Sequence, residues 1–107
     1  MYEVLKTTEF DSWLVNLKDQ LGKARIVSRI QRLEQGNPGD AAPVGDGISE
    51  LRIHAGPGYR VYYKQIGRMI VLLLCGGDKR TQSADIDRAV DYWEDWQLRG
   101  DDEKQTP

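Results

Sequence analysis

Two short apolar runs bounded by turn residues constrain this chain most: Tyr59-Arg60-Val61-Tyr62-Tyr63 after Gly56-Pro57-Gly58, and Met69 to Cys75 after Ile66-Gly67-Arg68. Each is short for a helix, rich in Val, Tyr or Leu, and flanked by turn formers, so each reads as a strand. The brief connection makes the pair an antiparallel hairpin, which sets its two open ends side by side. Arg60, at the start of the first strand, should therefore share a patch with Lys79 and Arg80, which follow the second. Gly76-Gly77 reads as a turn that needs positive φ.

The remaining elements fall around this hairpin. Met1 to Thr7 reads as a first strand. Thr8 is the expected N-cap of a helix with Glu9 and Asp11 in its first turn and Phe10, Trp13, Leu14, Leu17 and Leu21 along one stripe. Gly22 is expected to break it, and Lys23 to Gln35 forms a second helix with Val27, Ile30 and Leu33 on one face. Its bases Lys23, Arg25, Arg29 and Arg32 read as a solvated face. Gly36 to Gly47 reads as loop, Ile48 to Ala55 as another strand, and Thr81 as the cap of a last helix to about Arg99. The order is βααβββα, an α+β domain over residues 1–99 with a mainly antiparallel sheet and two N-terminal helices on one face. Residues 100–107 read as a disordered acidic tail.

A chain of 107 residues supports one domain and one modest core. The longest apolar run, Met69 to Cys75, is too short to cross a membrane, and the N-terminus lacks a signal-peptide pattern, so a cytoplasmic protein is expected. The single cysteine, Cys75, lies in an apolar run and reads as a small buried hydrophobe. One Cys and one His give no metal-ligand spacing. The net charge of -2 conceals an uneven distribution. Within residues 50–80, Arg52, Arg60, Lys64, Arg68, Lys79 and Arg80 outnumber Glu50 and Asp78, while Asp91, Glu94, Asp95, Asp101, Asp102 and Glu103 make the C-terminal end acidic. Local charge governs contact with phosphate, so the hairpin is the candidate anion site.

Strand parity sharpens that site. Leu51, Ile53 and Ala55 should share one face with Tyr59, Val61 and Tyr63. Arg52, His54, Arg60, Tyr62 and Lys64 then gather on the other, which reads as an open cationic and aromatic surface around the only histidine. For RNA, the substrate implied by the family resemblance given below, such a surface offers the groups that cleavage needs. RNA carries its own nucleophile in the 2′-OH. His54 supplies acid–base chemistry near neutral pH, Arg60 and Arg80 offer charge-assisted bonds to phosphate, and Tyr62 offers a ring to a splayed base. Lys64 and Lys79 add phosphate contacts, and no metal or cofactor is required. The plainer alternatives are a surface histidine, an Arg60 paired with Glu50, and Trp13, Trp93 and Trp96 as core or interface residues.

The strings Glu50-Leu51-Arg52-Ile53, Gly56 to Tyr63, and Leu73-Leu74-Cys75-Gly76-Gly77-Asp78-Lys79-Arg80-Thr81-Gln82 resemble the RelE/HigB toxin superfamily, and more closely its phage-derived addiction-module killer branch. The resemblance covers about residues 1–97. It implies a RelE-like fold and a type II toxin neutralised by a cognate antitoxin, usually a helix-turn-helix DNA-binding protein. It also implies metal-independent cleavage of messenger RNA on the ribosome. By the same resemblance Arg60 matches the phosphate-binding arginine and Arg80 the basic residue before the last helix. Arg52 and His54 match basic or histidine positions on the preceding strand, and Asp91 and Tyr92 are candidates for a C-terminal acidic or aromatic residue. Two further readings share the fold: a ParE-like inhibitor of DNA gyrase that does no chemistry, and an inactive homologue that only binds its antitoxin.

Overall fold

The computed structural model describes residues 1–104. A five-stranded sheet is built from β1 (Glu3–Lys6), β2 (Ala41–Gly45), β3 (Ile48–Ile53), β4 (Tyr59–Ile66) and β5 (Ile70–Asp78), in the spatial order β1-β5-β4-β3-β2. All neighbours are antiparallel except β1 and β5, which run parallel. Helices α1 (Thr8–Asn16) and α2 (Gln20–Glu34) follow β1, and a single 3-10 turn, Lys79–Thr81, leads from β5 into α3 (Gln82–Lys104). None of these helices is long and apolar enough to cross a membrane.

The alternating side chains of the sheet make two cores, one on each face. Leu51, Ile53, Tyr59, Val61, Tyr63, Val71 and Leu73 pack with Phe10, Ile26 and Leu33 of α1 and α2. Ile48, Tyr62, Leu72, Leu74 and Cys75 pack with Ala89 of α3, and with Ile86, Val90, Trp93 and Trp96 at its margin. The face expected to be open is therefore largely roofed by α3, whose stripe of Ile86, Ala89, Val90, Trp93 and Trp96 needs an apolar partner.

Local differences from the sequence reading have physical causes. Thr7, not Thr8, caps α1: its hydroxyl accepts from the Phe10 amide at 3.0 Å and donates to the Leu74 carbonyl at 2.6 Å, tying β1 to β5. The first helix ends at Asn16, and α2 starts at Gln20 under an Asp19 cap that accepts from the Gly22 amide at 2.9 Å. Gly22 thus lies inside α2, and a Cβ there would come within 2.5 Å of the Tyr59 ring. That same ring carries a hydroxyl that donates to Asp19 at 2.8 Å, so the glycine lets strand and helix close on each other. Leu21, on the opposite side, is exposed.

The expected loop from Gly36 to Gly47 contains strand β2. Its sequence of Ala, Pro and Gly has little strand propensity, but pairing with β3 holds it, and Pro43 is tolerated because β2 is an edge strand with a register shift between Pro43 and Gly45. Gly45, Asp46 and Gly47 all take positive φ to turn the chain into β3. Helix α3 takes in Gly100 to Lys104, which the sequence reading assigned to the tail, while residues 105–107 lie outside those described.

Candidate functional site

Antiparallel register brings the cations together. Arg52 on β3 is directly opposite Arg60 on β4, and Arg60 is opposite Gly77 on β5. Like charges so placed repel. The buried carboxylate of Glu50 offsets this: Oε1 accepts from Arg52 Nε at 2.8 Å, Oε2 accepts from Gln82 Nε2 at 2.8 Å, and Oε2 lies 3.9 Å from Arg60 Nε. Arg60 is itself nearly buried, and its Nη1 donates to the Tyr59 carbonyl at 3.2 Å. Its Nε has no hydrogen-bond partner among the described residues. That nitrogen is enclosed beside Glu50, while the residue as a whole lines an open cleft, where a guanidinium can donate to an oxyanion.

His54 follows β3 and is exposed. Its Nε2 lies 2.6 Å from Asp40 Oδ2, and the same carboxylate accepts from Arg52 Nη1 at 3.3 Å. The bond to His54, with Arg52 beside it, holds the Asp40 carboxyl below its ordinary range. Asp40 is placed by backbone: its carbonyl accepts from the Arg52 amide at 2.9 Å and from Arg29 Nη2 at 3.2 Å. The carboxylate fixes one ring nitrogen and leaves Nδ1 of His54 to exchange protons. Asp40 was not among the sequence candidates, since it sits in an apparent loop. The clue was that β2 pairs with β3 and so carries its own leading residue to His54.

His54, Ala55, Gly56, Pro57, Gly58, Arg60 and Lys79 line one open cleft. The Lys79 amide donates to the Gly58 carbonyl at 2.9 Å, which pins the segment after β5 to the turn before β4. Arg80 stands beside this cleft and does not line it. It is exposed and held by Asp78, with Nη2 3.0 Å from Oδ2 and its amide 2.8 Å from Oδ1. Those bonds lower the Asp78 pKa.

Gly76 and Gly77 lie within β5 and neither has positive φ, so the expectation of a turn is corrected. Their need is space on opposite faces of the sheet. A Cβ at 76 would fall 2.3 Å from the Trp13 ring, and one at 77 would fall 1.8 Å from Asp85 Oδ2. Asp85 is buried, and it binds Thr81 and Arg88, which fixes the start of α3 over the sheet.

Four sequence candidates lie elsewhere. Tyr62 is fully buried under α3, so it has no face for a base, and burial raises its pKa. Lys64 pairs with Ile48, four residues and about 13 Å along β4 from Arg60. Its ammonium sits 5.2 Å from the centre of the Trp93 ring. Tyr92 lines a different cleft, with Glu9, Asp85 and Arg88, and Asp91 is exposed on α3. Cys75 is buried as expected, and burial, with Asp85 nearby, pushes its thiol up to about 12.

A sheet in the order β1-β5-β4-β3-β2, flanked by α1 and α2 on one face and α3 on the other, is a RelE-like α+β fold. The family model described as phage-derived protein Gp49-like (DUF891) matches residues 12–92, and the chain belongs to this toxin-like family. It is also 54% identical over 87 residues to an uncharacterised protein of Haemophilus influenzae, an overlap covering 81% of this chain and 88% of that one.

Proposed function

We propose that this chain is the toxin of a type II toxin–antitoxin pair and a ribosome-dependent, metal-independent endoribonuclease of the RelE/HigB kind. The carrying observation is the cleft that holds His54, Arg60 and Lys79 together, with Arg52 and Asp40 behind them. In this reading the RNA 2′-oxygen attacks the adjacent phosphorus while His54 takes its proton. The P–O5′ bond breaks, Lys79 protonates the leaving 5′-oxygen, and a 2′,3′-cyclic phosphate remains. Arg60 holds the non-bridging oxygens as negative charge builds on them. Asp40 is a positioning residue, steadying His54 and its imidazolium form. Arg80 serves a phosphate outside the cleft once it leaves Asp78.

A net charge of -2 gives weak attraction for free RNA at physiological salt, so the ribosome must present the substrate. The cognate antitoxin, a helix-turn-helix DNA-binding protein in this reading, neutralises the toxin by setting acidic side chains against Arg52, Arg60 and Arg80. Primer extension on cellular RNA after induction tests the whole proposal. Cuts within translated codons are expected, absent with Arg60→Ala at matched soluble expression, while naked RNA is cut little and EDTA has no effect where translation is not assayed. DNA damage without RNA cuts would indicate gyrase as the target, and neither would leave a protein that only binds its antitoxin.

A further inference from the structure

Helix α2 turns a second cationic surface toward His54. Arg25, Ser28, Arg29 and Arg32 are spaced at helical intervals along one stripe, next to the buried stripe of Gly22, Ile26 and Leu33. With Ile53 and His54 they line a cavity to which no carboxylate contributes. The three arginines do different work. Arg29 is spent on the fold: it donates to the carbonyls of Arg52, Pro38 and Asp40 and so holds the chain before β2 against β3. Arg25 and Arg32 are exposed and enter no ion pair among the described residues. His54 is a wall of this cavity and of the cleft with Arg60 and Lys79, so the two adjoin at that side chain.

We infer that the cavity between α2 and the end of β3 is a second phosphate site, in which Arg25 and Arg32 bind the backbone of an RNA strand whose neighbouring phosphate lies in the cleft at Arg60. The inference rests on the endoribonuclease reading for its choice of ligand. An extended strand spaces successive phosphates by several ångströms, so one running past His54 meets Arg60 and Lys79 on one side and the α2 stripe on the other. The Ser28 hydroxyl adds a neutral donor to the same wall. The stripe thus sets which side of the cut the strand is held on.

The test is binding of a 2′-O-methyl hexaribonucleotide, which cannot be cleaved, measured by fluorescence anisotropy across a salt series. Arg25→Gln with Arg32→Gln should weaken binding about tenfold at low salt and reduce the slope of log K against log salt by about 1.4, at about 0.7 for each phosphate no longer neutralised. The control removes two exposed charges elsewhere, Lys18→Gln with Arg68→Gln, and should leave the slope near wild type. An affinity and slope unchanged by the α2 substitutions, or changed equally by the control, would overturn the assignment. Unchanged RNA binding with loss of affinity for an acidic peptide would overturn it too and give the surface to a protein partner. Primer extension separates this site from the activity. If wild type makes no cuts but the binding loss stands, the activity reading falls and the site remains. If wild type cuts and the double variant binds and cuts equally well, the site falls alone.

Discussion

Glu50 and Arg60 sit diagonally across the β3–β4 pair with Oε2 and Nε 3.9 Å apart, and the same carboxylate holds Arg52 and Gln82. One buried anion therefore keeps two directly opposed arginines in place and ties them to α3. Glu50→Ala should cost about 3 kcal/mol of stability, because it leaves the nearly buried Arg60 guanidinium without its carboxylate, whereas Arg52 keeps Asp40. Urea unfolding of the purified variant measures it. A loss within about 0.5 kcal/mol of zero, the range of an ordinary surface change, would mean the arginines are held by other means.

Gly77→Ala should destabilise by about 2–4 kcal/mol, since the new methyl meets the buried Asp85 carboxylate on a strand that cannot retreat. Combining it with Asp85→Ala gives a double-mutant cycle. The pair should be clearly less damaging than the sum of the single changes. Strict additivity would show that Gly77 is needed for some other reason.

Tyr62→Phe should be neutral or stabilise by about 1 kcal/mol, because the hydroxyl it removes is buried with no hydrogen-bond partner among the described residues. On the proposed toxin reading, growth arrest should be unaltered. A variant that folds well yet loses toxicity would return Tyr62 to the mechanism.

Stability should fall in acid. The carboxyls of Asp19, Asp40 and Asp78 are all held below their ordinary 3.8, chiefly by bonds from the Gly22 amide, His54 and Arg80 respectively. Groups depressed on folding contribute stability that is fully present above the unfolded value and disappears as pH drops through the folded one. The urea midpoint should accordingly hold steady on this account from neutrality to about pH 5 and decline below about pH 4. Replacing all three with Asn should flatten that decline and lower the midpoint at pH 7.

The Cys75 thiol, raised to about 12, should resist a thiol reagent such as 5,5′-dithiobis(2-nitrobenzoate) at pH 8 and react fully once the chain is unfolded. Prompt reaction of the native protein would show that α3 lifts off the sheet.

What the sequence revealed follows from which interactions are local. The hairpin of β4 and β5, with Arg60 near Lys79, was legible because strand pattern and turn residues lie within one short stretch. The cap of α1 was legible as a threonine but misplaced by one residue, because the bond from Thr7 to Leu74 joins distant segments. Strand β2 was missed because pairing with β3, not its own residues, makes it a strand. Tyr62 was misassigned because parity says which face a residue takes and nothing about what covers that face. Asp40 went unnoticed for the same reason as β2. The arginines of α2 look like a solvated stripe until β3 places His54 opposite them.

The parallel pairing of Glu3–Lys6 with Ile70–Leu73 joins the first strand to the last. During synthesis β1 must wait for some two-thirds of the chain to follow before it finds its partner, and Lys79 and Arg80 come later still. Pairings of such sequence separation form slowly. A nascent chain consequently has no assembled cleft until Lys79 has left the ribosome and β1 has found β5. On the proposed toxin reading, that delay gives an antitoxin time to arrive before the site exists.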